Sequence, residues 1–148
     1  MALGVLVEDE RMIRKLAAGL AGLGLIGGAG TVIYNHNGST TVRITDPKTG
    51  QVQSVSIGAS GQAFSCPAGT RNRLEPYDLE AGRIKLTLLR VRRVERAIER
   101  RYPSHNAPSS VARRYNALLR RDNRLVSAFN RAVGAHNAII SRDCTAKN

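Results

Sequence analysis

Two cysteines, Cys66 and Cys144, are the residues of this chain best placed for covalent chemistry. Cys66 precedes a long helical pattern and Cys144 ends a second one. At about 1.5 Å per residue, helices near 77–102 and near 108–143 differ in length by roughly 15 Å. The ten residues between Cys66 and Tyr77 can cover that difference. A Cys66–Cys144 disulfide is therefore expected. Such bridges persist outside the cytoplasm.

Other reactive groups lack neighbours to tune them. The chain has three histidines. His105 lies in a loop, and His136 has no second ligand three or four residues away, so no metal site is expected. Gly58-Ala59-Ser60-Gly61 lacks the G-x-S-x-G spacing of a nucleophile elbow. No phosphate loop or Ser-His-Asp set is visible. The expectation is a non-enzyme without cofactor, metal or catalytic residues.

Charge is the stronger signal. The 148 residues carry 23 Lys and Arg against 11 Asp and Glu, a net charge of +12. Between Asp78 and Asp143 there are fifteen cations against six anions. The candidate basic surface comprises Arg90, Arg92, Arg93, Arg96, Arg100 and Arg101 in the first helical pattern, with Arg120, Arg121, Arg124 and Arg131 in the second. A solvated face and a polyanion-binding face both fit such a distribution.

The elements that position these groups follow from periodicity. Leu16–Tyr34 is nineteen residues without a charge, preceded by Arg11, Arg14 and Lys15. A bilayer core needs roughly 20 apolar residues, so a transmembrane helix is expected, with the N-terminus in the cytoplasm. Its six glycines favour lipid over water as its setting. Ala18 with Gly22, and Gly24 with Gly28, have the spacing that lets membrane helices pack and dimerise. The alternatives are a secreted chain, cleaved near Gly27–Ala29, and a buried soluble helix. Residues 4–25, GVLVEDERMIRKLAAGLAGLGL, resemble the opening of a response-regulator receiver domain in their apolar strand, acidic cluster (Glu8, Asp9, Glu10) and helix. A receiver's aspartate at the end of a later apolar strand has no counterpart, since Asp46 lies in a turn.

Thr41–Thr45 alternates like a half-buried strand, Asp46–Gly50 reads as a turn and Gln51–Ile57 as the returning strand. A further short strand is expected near Gln62–Ser65. Ile84, Leu88, Val91, Ile98 and Tyr102 mark an amphipathic helix, interrupted by Glu95 beside Val94. After the Pro103–Pro108 break, asparagines recur every seven residues at Asn116, Asn123, Asn130 and Asn137. Tyr115, Asp122, Phe129 and His136 precede them, and apolar pairs from Leu118-Leu119 to Ile139-Ile140 follow. This is a coiled-coil-like stripe, with the asparagines expected to bond across the helical hairpin and fix its register.

The fold expected is α+β. Residues 1–15 form a cytoplasmic tail, 16–34 a membrane helix, 35–40 a linker, 41–76 a small β module, and 77–148 a disulfide-closed antiparallel helical hairpin. The function expected is that of an anchored envelope protein. Outside the cytoplasm, its basic hairpin would bind a partner protein or anionic polymer, or oligomerise. Membrane lipid is the other partner expected, and an Arg-rich nucleic-acid binder is the alternative.

Overall fold

A computed structural model describes residues 25–58, 63–104 and 106–147. The fold is α+β, a small sheet with two long helices that form a hairpin. In chain order come β1 (Gly30–Tyr34), β2 (Thr40–Thr45), β3 (Val52–Ile57), β4 (Phe64–Ser65), α1 (Thr70–Arg101), α2 (Ser109–Asp143) and β5 (Thr145–Ala146). The chain divides into two compact units. Among the described residues, one holds 25–87 with 125–147 and the other holds 88–124.

In the first unit, β1, β2 and β3 form an antiparallel meander in that order. The β1–β2 turn is closed by hydrogen bonds between Asn35 and Ser39, with Gly38 at φ 84°. The β2–β3 turn places Gly50 at φ 71°, and the Lys48 N–H donates to the Asp46 carboxylate at 2.8 Å. Val42 faces Val55 in the register. One face of the sheet buries Val42, Ile44, Val55 and Ile57 with Ala81 and Leu86 of α1 and Ala132 of α2. Gly82 of α1 sits where a Cβ would come within 2.5 Å of the Val42 side chain. The helix therefore packs directly on the central strand.

The expected membrane helix over Leu16–Tyr34 needs correction where the chain is described. Leu25–Ala29 is not helical and Gly30–Tyr34 is a strand paired with β2. Thr31, Val32, Ile33 and Tyr34 are β-branched or aromatic and suit a pleated, half-buried surface. No described helix is long and apolar enough to cross a membrane. Leu16–Gly24, with Ala18, Gly22 and Gly24, lies outside the described residues. Gly28 does not belong to a helical packing pair, since its φ of 118° is foreign to an α-helix. Its carbonyl instead accepts a hydrogen bond from Arg83 at 2.6 Å. Ile26 is buried in the core, and its N–H donates to Thr87 Oγ1 at 3.3 Å. Residues 35–40, expected as a linker, are the β1–β2 turn and the start of β2.

Helix α1 begins at Thr70, seven residues before its expected start, and contains Pro76. Proline removes one helical hydrogen bond, to the carbonyl of Asn72. Asn72 and Pro76 are both exposed, so water can satisfy that carbonyl. The buried side of α1 runs Thr70, Leu74, Asp78, Ala81, Ile84, Leu88, Val91, Glu95, Ile98, a continuous three-and-four spacing with two carboxyls inside it.

Cys66 and Cys144 form a disulfide with Cα atoms 4.4 Å apart. The short strand expected near Gln62–Ser65 is β4, but it pairs with β5 instead of joining the meander. Beside the bridge, the Lys147 N–H donates to the Ala63 carbonyl at 2.8 Å, and Arg73 pairs with Asp143 at 2.8 Å.

Candidate functional site

Helix α2 carries a strict heptad. Val111, Leu118, Leu125 and Ala132 are buried at seven-residue intervals. Four places after each come Tyr115, Asp122, Phe129 and His136, all half-buried. Two of these, Asp122 and His136, meet a buried carboxyl of α1, one in each compact unit.

In the first unit, Asp78 is 3% exposed and ties three elements together. The Tyr34 hydroxyl of β1 donates to Asp78 Oδ2 at 3.0 Å, and His136 Nε2 of α2 lies 3.3 Å from Oδ1. Burial, above all, raises the Asp78 carboxyl above its ordinary range, with His136 opposing. Burial and the Asp78 charge together hold the Tyr34 phenol well above its usual value. Arg71 stacks 5.3 Å from the Tyr34 ring centroid. A Tyr–Asp–His set resembles catalytic machinery, but His136 Nδ1 also lies 3.1 Å from Asn137 Oδ1. Both ring nitrogens and the phenol thus have partners within the protein. The cluster joins β1, α1 and α2.

In the second unit, Asp122 receives a forked contact from Arg92, Nε at 3.1 Å and Nη2 at 3.3 Å. Glu95, 7% exposed, lies against the same carboxylate. Tyr115 donates to Glu99 Oε1 at 2.6 Å, which pushes the phenol up to about 12. The spacing of these contacts is that of an antiparallel hairpin. Steps of seven and fourteen lead from Glu99 to Arg92 and Asp78 on α1, and from Tyr115 to Asp122 and His136 on α2.

The arginines divide by surroundings. Arg93, Arg96, Arg100, Arg120, Arg124 and Arg131 are exposed. Arg90, Arg92, Arg101 and Arg121 are half-buried, with Arg92 bound to Asp122 and Arg101 lying 5.8 Å from the Tyr102 ring centroid. Residues 88–124 contain eleven arginines and three acids. All three acids are engaged within the hairpin, Asp122 by Arg92, Glu95 by Asp122 and Glu99 by Tyr115. The exposed arginines thus stand in excess over the acids, Glu99 being the one exposed anion of residues 88–124, and those of α1 share a face. Arg93, Arg96 and Arg100 follow a three-and-four spacing. The heptad asparagines are exposed and make no bond across the hairpin among the described residues. They flank the arginines, and the half-buried polar residues preceding them make the cross-helix contacts.

Sequence reasoning placed Tyr115, Asp122 and His136 on the stripe but missed Asp78 and Glu95 as their partners. The available signal was an acid at a buried step of the α1 pattern, treated above only as an interruption at Glu95. No group of His, Cys, Asp and Glu suited to a metal ion occurs among the described residues. Comparison with protein-family models, with curated proteins and with solved structures gives no match.

Proposed function

We propose that the protein is a non-enzymatic, extracytoplasmic binding module whose helical hairpin takes an anionic polymer along its arginine face. The observation that carries this reading is the division of charge in residues 88–124. Asp122 is held by Arg92, Glu95 is buried and Glu99 is the single exposed acid, while Arg93, Arg96, Arg100, Arg120 and Arg124 face solvent. A row of guanidiniums in excess over its acids attracts phosphate or carboxylate groups and releases counterions on binding. The Cys66–Cys144 bridge supports a site of action outside the cytoplasm. Residues 88–124 hold two aromatic side chains, Tyr102 and Tyr115, which is few for stacking successive bases and favours a simple polyanion over single-stranded nucleic acid.

The test is fluorescence anisotropy with labelled inorganic polyphosphate, across a salt series starting near ~50 mM, with duplex DNA as comparator. Binding is expected to weaken linearly in log salt. The variant Arg93→Gln/Arg96→Gln/Arg100→Gln should flatten that slope by about 2, close to 0.7–0.9 for each lost contact. No polyphosphate binding at low salt, or an unchanged slope in the variant, would overturn the reading. Tighter binding to DNA than to polyphosphate would return the nucleic-acid alternative. Labelling of intact cells with an impermeant thiol reagent, before and after reduction, tests the location. Alkaline carbonate extraction of membranes then separates an anchored chain from a released one.

A further inference from the structure

The acidic pair inside the arginine-rich unit plays no part in polyanion binding, and it points to a different property. Glu95 holds a place in the buried stripe of α1 between Val91 and Ile98, where an apolar side chain is the ordinary occupant. Its Oε1 is closed off from solvent and has no hydrogen-bond partner. Facing it from α2 is Asp122, whose two oxygens are taken by the Arg92 guanidinium at 3.1 and 3.3 Å. Among the described residues, the charged and titratable groups around Glu95 are Arg92 and Glu99 on its own helix, and Asp122 and Tyr115 on α2.

One guanidinium offsets one carboxylate. With Asp122 ionised and forked by Arg92, a second carboxylate beside it would have a like charge for a neighbour and a buried oxygen without a donor. A Glu95 carboxyl that keeps its proton avoids both costs and donates to Asp122. We propose that Glu95 and Asp122 share a single proton, and that releasing it loosens residues 88–124, making this part of the hairpin a pH-responsive joint.

The direction follows from linkage. Desolvation first, and the Asp122 charge second, push the Glu95 carboxyl up to about 7. In an unfolded chain the same group titrates near ~4.3. A folded value raised above the unfolded one gives stability that is fully present below about 4.3. That stability is lost progressively as pH rises through about 7.

The experiment uses the full, oxidised chain with carbon-labelled carboxyl groups. Titration by NMR should show the Glu95–Asp122 pair releasing one proton near neutral pH, with both carboxyls reporting the step. Amide-exchange protection, corrected for intrinsic rate, should fall in residues 88–124 by up to about tenfold per pH unit between about 4.3 and 7, and level off above that. Protection in 70–87 and 125–143 should not follow. Glu95→Gln keeps the donor to Asp122 and cannot ionise, so its protection should be flat across the same range. Titration of both carboxyls below about pH 5 would overturn the proposal. So would pH-independent protection in 88–124, or a Glu95→Gln chain that keeps the wild-type dependence. Should that variant fail to fold, the wild-type carboxyl titration decides alone. None of these readouts involves a polyanion, so this proposal and the binding proposal fail separately.

Discussion

At the scale of single residues, Gly82 is where backbone economy and packing pull in opposite directions. It lies in the interior of α1, where glycine costs nearly 1 kcal/mol relative to alanine. Helix propensity alone predicts that Gly82→Ala stabilises. Packing predicts the opposite, because an added Cβ would lie 2.5, 2.6 and 2.8 Å from Val42 Cγ1, Cβ and Cγ2. Val42 is fully buried on the central strand, paired on both sides, and has nowhere to retreat. Overpacking of this kind costs about 1–3 kcal/mol, enough to outweigh the propensity gain. Urea unfolding should show Gly82→Ala destabilised by about that amount, and Val42→Ala should relieve part of it in the double variant. A stabilised single variant would mean that the helix does not press on the strand there.

At the scale of elements, buried polar joints help to set the hairpin's register. Asp78 accepts from Tyr34 on one strand and lies beside His136 on the other helix. Asp78→Ala strands both partners, and an unpaired buried polar group costs about 1–3 kcal/mol. We expect a loss of about 2–4 kcal/mol for Asp78→Ala and about 1 for Tyr34→Phe. The double variant should lose clearly less than the sum, measured as a coupling in denaturant unfolding. Additive losses would show that Tyr34 and Asp78 do not act as one unit. Much of this architecture was legible beforehand. The heptad of α2 appears in the sequence because one face of one helix repeats itself. The Asp46–Gly50 turn announces itself through proline and glycine chemistry. Strand β1 was hidden because Thr31–Tyr34 continues an apolar run that also suits a membrane helix, and pairing with β2 decides between them. The start of α1 was hidden by Pro76, whose unpaired Asn72 carbonyl faces solvent, a tertiary fact. The carboxyl partners were hidden for a related reason. Spacing places Asp122 and His136 on a seam, but only the antiparallel register brings them to Glu95 and Asp78.

At the scale of the whole molecule, the cysteines enclose both helices and leave β1, β2 and β3 outside the loop. What else closes that end of the chain is slight. The β4–β5 ribbon has two residues per strand, and the Arg73–Asp143 pair is a single surface ion pair. The bridge therefore carries most of the closure. With its ends 78 residues apart in sequence, the chain-entropy account assigns it about 4 kcal/mol. Domains of this size have only about 5–15 kcal/mol in total, so the reduced chain would stand near the margin. A surplus of positive charge on the hairpin works in the same direction, since self-repulsion opposes compaction when no polyanion is bound. Urea unfolding of the Cys66→Ser/Cys144→Ser chain should show a loss of about 4 kcal/mol, with a steeper denaturant dependence because the unfolded chain exposes more surface. Added polyphosphate should restore part of the loss by mass action, by about 2.7 kcal/mol at a hundredfold excess over its dissociation constant. A loss below about 1 kcal/mol would show that helix packing alone closes the hairpin.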